Sequence, residues 1–201
     1  MNNKEFLGII ELGRESRNLE FKGSAAWTDA DFRAKLIKTS LAFSNVRDGG
    51  MIVIGVEESE EGSFSFDGVE PAHLDTFSPD DVASQVAQYA DPYAKVQVER
   101  IENEQKVFVV IQTEEFDEMP VVCKKDGRCN LRRGAIYTRS RRMPETVEVP
   151  SQTEMREILE MATEKRVRKL LEMQERLKLP PFSSPGPTDD DRFDAQIAEL
   201  R

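Results

Sequence analysis

Met51-Ile-Val-Ile-Gly-Val56 is a continuous apolar run rich in β-branched residues, and its reading decides the fold class. Such a run, bounded by turn signals, reads as a strand buried on both faces, the kind found in the middle of a sheet. Gly49-Gly50 leads into it and Glu57-Glu58 follow. Upstream, Thr28 and Asp29 offer N-cap oxygens to a helix through about Val46, with Phe32, Leu36, Thr39, Ser40 and Phe43 along one face. Asn45-Val-Arg-Asp-Gly49-Gly50 stops that helix. Before it, Leu19 to Lys22 alternates apolar and charged residues, so a short strand would send Glu20 and Lys22 one way and Leu19 and Phe21 the other. Phe6, Leu7, Ile9, Ile10 and Leu12 fit a short opening helix that Gly13 ends.

Downstream of the central run, Ser63-Phe64-Ser-Phe66 alternates like a further strand. Ser78-Pro79-Asp80-Asp81 opens a helix to about Tyr89, which Asp91-Pro92 breaks. Val96 to Ile101 and Val107 to Gln112 read as paired strands around a turn at Glu102 to Gln105. Met119 to Cys123 continues as a strand into Lys125-Asp126-Gly127-Arg128, where Asp-Gly signals a hairpin, and Ala135 to Arg139 gives the last strand. A long helix is predicted from about Thr153 to Leu179, its irregular apolar stripe suited to the domain at first and to a second protomer beyond. Ser183-Ser-Pro-Gly-Pro187 and Asp189 to Asp191 read as a flexible acidic tail. The expected organisation is one α/β (α+β) domain over 1–150, a long helix over 151–179 for packing or dimerisation, and a tail over 180–201.

At 201 residues the chain is long enough to bury a proper core, and its 33% charged residues point to a soluble protein. No apolar run approaches the roughly 20 residues that span a bilayer, and the N-terminus lacks a signal-peptide pattern, so the expected location is the cytoplasm, with no membrane partner. The two cysteines, Cys123 and Cys129, are too few for a disulfide scaffold and read as reduced thiols. His73 is the only histidine, in a loop-like stretch, which makes Ser-His-Asp, Cys-His and His-rich zinc chemistry poor assignments. Gly49-Gly50 lacks the Gly-x4-Gly-Lys-Ser/Thr pattern and precedes a strand, so no ATP site follows from the motifs.

Charge is unevenly spread. Against a net charge of −10, the segment Lys124 to Arg142 carries Lys124, Lys125, Arg128, Arg132, Arg133, Arg139, Arg141 and Arg142 with the single acid Asp126. A basic stripe on an acidic protein suits a localised phosphate-binding surface, and a solvated hairpin has the same composition. Tyr137 and Arg139 share a strand face, which suits base stacking with phosphate contact, or equally a buried tyrosine beside a solvated arginine. Glu15, Glu20 and Lys22 form the second cluster. Metal-dependent phosphodiester cleavage needs clustered carboxylates and often a lysine, and Glu57 or Glu58 could supply a third acid. Ordinary surface acids would give the same spacing.

Glu15-x4-Glu20-Phe21-Lys22, Ala42-Phe43-Ser44-Asn45 with Gly49-Gly50, Ile54-Gly55-Val56-Glu57-Glu58, Pro120, and Arg133-Gly134-Ala-Ile-Tyr137-x-Arg139 together resemble the Schlafen AlbA-2 domain family, over roughly Phe6 to Met161. The resemblance implies a compact AlbA-2-like mixed sheet flanked by helices and a nucleic-acid role. In the animal branch it implies metal-dependent cleavage of transfer and ribosomal RNA by three acids. Carried over by position, those acids are Glu15, Glu20 and Glu58, holding Mg²⁺ or Mn²⁺, with Lys22 near the scissile phosphate. At Glu58 the family usually has aspartate.

Two nucleic-acid expectations about function follow. One is an endoribonuclease acting on structured RNA such as transfer RNA, dimeric through its long helix. The other is a noncatalytic binder of RNA or DNA, in which Glu15 and Glu20 are fold-stabilising partners of Lys22 and nearby arginines. A protein-interaction adaptor is a third alternative.

Overall fold

The computed structural model describes residues 6, 8–9, 13–59, 61–141 and 143–178. Its elements run β1 (Leu19–Lys22), α1 (Ala30–Ser44), β2 (Gly50–Ile54), β3 (Val56–Glu58), β4 (Phe64–Phe66), α2 (Pro71–Leu74), α3 (Pro79–Ala87), β5 (Ala90–Asp91), β6 (Val96–Asn103), β7 (Lys106–Thr113), β8 (Val122–Cys123), β9 (Tyr137–Arg139), β10 (Thr146–Glu148) and α4 (Gln152–Arg176). The main sheet has the order β1-β2-β7-β6, mixed in direction: β1 and β2 are parallel, the other neighbours antiparallel. The predicted α+β class and central strand both hold.

Strand alternation builds two cores. Ile52 and Ile54 of β2, with Val109 and Ile111 of β7, face a core that includes Leu36, Leu41 and Phe43 of α1. Val53, Phe108 and Val110 face the opposite side, where Leu19 and Phe21 of β1 meet Phe6 and, at the margin, Phe64 and Phe66. Because Leu19 and Phe21 are committed to that second core, Glu20 is turned toward α1. Asp29 caps α1 by accepting from Asp31 N and Phe32 N. The run of β-structure breaks at Gly55, whose φ of 104° and close approach to Gly68 and Val69 leave no room for a Cβ, so Val56 starts a separate two-stranded ribbon with β4.

Three expectations change. The predicted strand at Met119 to Cys123 shortens to β8 and pairs with β5, not across an Asp126-Gly127 hairpin. The segment after Cys123 is a wide loop closed at its base by Cys123 N–H to Ala135 O (2.8 Å) and Gly134 N–H to Cys123 O (2.7 Å). Inside it, Asp126 accepts from Arg133 N and Leu131 is buried, interactions that a two-residue turn could not make. Strand β9 pairs with β10 instead. His73 lies in the one-turn helix α2 and meets Ser24 Oγ through Nδ1 at 3.0 Å.

The chain divides into two compact units, 1–163 and 164–201. Within the first, Ile158, Met161 and Ala162 of α4 pack into the α1 core. In the second, the described residues continue α4 with Val167, Leu170, Leu171 and Met173 exposed. Of the predicted opening helix, Phe6, Gly8 and Ile9 are helical, while Leu7, Ile10 and Leu12 lie outside the described residues, as do Arg142 and the predicted tail 180–201. No helix among the described residues is long and apolar enough to cross a membrane.

Candidate functional site

Glu20 projects from β1 under α1, and its side chain is only 8% exposed. One carboxylate oxygen lies 2.6 Å from Lys22 Nζ, and the other is bonded by Nη1 of Arg139 from β9. Thr39 Oγ1 of α1 lies 3.4 and 3.3 Å from the two oxygens. Arg139 is 1% exposed. Its Nη2 donates to Pro144 O at 2.6 Å and its Nη1 also reaches Thr146 Oγ1 at 3.2 Å, while its guanidinium sits 5.3 Å from the Phe43 ring centroid. Burial pushes the Arg139 guanidinium down from its ordinary range, against the pull of Glu20 and Glu15. A guanidinium stays charged under such a shift, so a buried ion pair ties β1 to β9.

Glu15 lies at the edge of this cluster. Its Oε1 accepts from Phe21 N at 2.8 Å. Burial pushes its carboxyl up, and the nearby Glu20 charge adds to the rise, while the Phe21 hydrogen bond opposes it. The third acid is placed differently. Glu58 is exposed on β3. It is Glu57 that returns to the end of β1, accepting from Ser24 N at 2.9 Å with its carboxylate over Gly23.

The resemblance implied Mg²⁺ or Mn²⁺ on Glu15, Glu20 and Glu58. A hard divalent cation needs carboxylate oxygens open to it. Both oxygens of Glu20 already face cationic nitrogens, and among the described residues no three His, Cys, Asp or Glu side chains are grouped so as to hold a metal ion. The donor set as arranged does not fit that ion.

The basic segment separates into buried and exposed parts. Tyr137 and Arg139, read either as a stacking surface or as a buried tyrosine beside a solvated arginine, are both buried to about 1% exposure, so neither offers a face to a base. Tyr137 is structural: its hydroxyl accepts from Arg132 N (2.8 Å) and donates to Asn130 O (2.9 Å), which ties the loop to β9. Lys124, Arg128, Arg132, Arg133 and Arg141 are exposed. Arg128 pairs with Asp31, Arg132 with Glu148 and Arg141 with Glu157. Lys125 Nζ lies 4.2 Å from the Tyr89 ring centroid and donates to Gln88. The side chains of Lys124 and Arg133 have no acidic partner among the described residues.

Three structural anchors escaped sequence reasoning. Asn45 had registered as a helix stop and a member of the family motif, with no structural role. It is 1% exposed, its Nδ2 donates to Val121 O (2.8 Å) and Tyr137 O (2.9 Å), and its Oδ1 accepts from Val121 N (2.8 Å). It thus holds the end of α1 to the strands that carry the basic loop. Arg17 donates to Arg139 O at 3.2 Å and grips both oxygens of Glu157 at 2.6 and 2.9 Å. Those hydrogen bonds, with those of Arg141, hold the Glu157 carboxyl down at about 2. Partners 140 residues apart leave no local signal for Arg17 and Glu157. For Asn45 the signal was its place in the Ala42-Phe43-Ser44-Asn45 motif.

Searched against curated proteins, the chain finds no match. Among solved structures it is similar to the DIP2311 protein of Corynebacterium diphtheriae, 14% identical with a TM-score of 0.45 over 73% of this chain and 26% of that one. The match therefore spans about a quarter of that protein's length. It is also similar to the N-terminal domain of an ATP-dependent DNA helicase RecG-related protein from Nitrosomonas europaea, 23% identical with a TM-score of 0.45 over 70% of this chain and 93% of that domain. The model of the family Schlafen, AlbA_2 matches residues 15–144, a span that begins at Glu15 and takes in Glu20, Asn45 and Arg139. On that match the chain belongs to the Schlafen AlbA_2 family.

Proposed function

We propose that the protein binds nucleic acid through the 124–134 loop and that its Glu20–Arg139 pair is an internal brace, not a metal centre. The family points to a nucleic-acid-related role. The observation that carries the reading is the paired state of Glu20: both oxygens are engaged inside the protein, while Lys124 and Arg133 are exposed with no acidic partner among the described residues. Phosphate oxygens are the natural partners of such cations on a protein whose net charge is −10. The reading includes self-association through the exposed Val167, Leu170 and Leu171 of α4, to be measured by sedimentation.

Anisotropy titrations with transfer RNA and with duplex DNA over a range of salt test this. Binding weakens with salt, and replacing Lys124 and Arg133 by alanine lowers the log–log slope by about 1.4 to 1.8, since each phosphate contact contributes about 0.7 to 0.9. No binding of either nucleic acid at low salt overturns the reading. The competing reading is an endoribonuclease using Mg²⁺ or Mn²⁺, and incubation of transfer RNA with protein and Mn²⁺ separates the two. Intact RNA agrees with binding alone. Cleavage that Glu20→Gln abolishes without loss of stability makes Glu20 a catalytic ligand and refutes the brace.

A further inference from the structure

Beside the basic loop, α1, the region of α3 and loop residues 127–128 line an open cavity of about 230 Å³, whose lining includes Arg33, Ala34, Ile37, Gln85, Tyr89 and Arg128. Two arginines, a glutamine and a tyrosine thus line one place beside Ala34 and Ile37, and of these only Arg128, in the basic stripe, has a role by motif. Each guanidinium carries five N–H donors. One donor of Arg33 goes to Trp27 O at 3.3 Å and one of Arg128 to Asp31 Oδ1 at 2.9 Å. The remaining donors have no hydrogen-bond partner among the described residues.

The aromatic wall is held in place before any ligand arrives. Lys125 Nζ sits 4.2 Å from the Tyr89 ring centroid, and Gly127 packs so tightly that a Cβ there would lie 2.8 Å from Tyr89 Cε1. A wall that needs no reordering lowers the entropic cost of binding.

These groups define the ligand. Forked guanidiniums match the oxygens of a phosphate monoester and bind it more strongly than a neutral group. A phenol ring with Ile37 and Ala34 suits the flat body of a base, and the Gln85 amide can donate to or accept from its edge. The volume falls below the roughly 300 to 1,000 Å³ of drug-sized sites, so it takes a phosphate with part of one nucleotide unit and excludes a duplex. We propose that this cavity receives the phosphorylated terminal nucleotide of a nucleic-acid strand. The proposal rests on the nucleic-acid-binding reading above for the strand, and on the cavity alone for the nucleotide. Asp31 competes with the phosphate for Arg128, which sets the sign of one variant in the test.

The experiment titrates the full chain with short single strands of one sequence that end in a 5′-phosphate, in a 3′-phosphate, or in hydroxyls only. One phosphorylated strand binds about tenfold tighter than the hydroxyl-ended strand. Arg128 is exposed, so Arg128→Gln keeps the fold and brings that ratio to about one, whereas Asp31→Asn frees Arg128 and raises it. Equal binding of all three strands, or a preference that survives Arg128→Gln, overturns the cavity assignment while leaving nucleic-acid binding in place. A nucleoside monophosphate that binds in equilibrium dialysis, and is lost in Arg128→Gln, supports the cavity even where no strand binds and the broader reading falls.

Discussion

Replacing Glu20 by glutamine separates a structural carboxylate from a ligand carboxylate by the sign of its effect on stability. Glutamine keeps the shape and the acceptor oxygen that faces Thr39, but it removes the charge opposite Arg139, which is 1% exposed. Removing one partner of a buried pair costs about 3 to 5 kcal/mol, because it leaves an uncompensated buried charge. The lower end applies here. Glutamine still accepts a hydrogen bond, and Lys22, whose side chain is 29% exposed, turns to water once unpaired. A loss of about 3 kcal/mol lowers Tm by about 6 to 12 °C in a domain of this size. Urea unfolding followed by circular dichroism measures it, with the midpoint falling and the m-value unchanged. The double variant Glu20→Leu with Arg139→Met restores most of the loss, since a well-packed apolar pair can replace a buried ion pair at little cost. A carboxylate kept for a ligand would behave in the opposite way: its removal would relieve the repulsion that raises the neighbouring Glu15 carboxyl, and stability would stay level or rise. A Glu20→Gln variant as stable as the parent refutes the brace.

Stability at low pH carries a second signature. Glu157 titrates at about 2 in the folded protein against an ordinary 4.5, so its contribution is complete above about 4.5 and is lost as pH falls toward 2. The shift sets a ceiling of about 3 kcal/mol, and Glu157→Gln flattens the stability profile across that window. Glu15 runs the other way: burial raises its folded value, so protonation favours the fold and Glu15→Gln stabilises at neutral pH, by an amount read from urea midpoints at pH 7. Asn45→Ala orphans the Val121 N–H and two carbonyls in the core and costs at least about 3 kcal/mol by thermal melting. In the salt titrations, Lys124→Ala alone lowers the slope by about 0.7 to 0.9, and Arg139→Lys acts through lost stability.

The sheet was legible because an apolar core on two faces writes itself into a strand as an unbroken apolar run, and β1 was legible because an apolar core on one face alone writes alternation, the other face burying Glu20 against cations. From that alternation it followed that Glu20 and Lys22 share a side. What they meet there did not follow. The loop after β8 was misread for a related reason: Asp126-Gly127 carries a real turn signal, but Asp126 is held by Arg133 N and the Leu131 side chain is drawn into the core, and both interactions depend on chain that folds back later.

The sequence by itself determined the α+β class, the central strand, the capped helix, the long last helix, the uneven charge and, through its ordered motifs, the family. Local pattern suffices for these because each reflects a periodicity or a residue type acting within a few positions. Only the tertiary structure decided that Glu20 is closed in by an arginine 119 residues away, that Tyr137 and Arg139 lie inside, and that Glu57 returns to β1 while Glu58 stays exposed. The physical reason is that a charged side chain carries no mark of its partner. Whether a carboxylate holds a metal, a phosphate-bound water or a guanidinium depends on what the fold brings within about 3 Å of it.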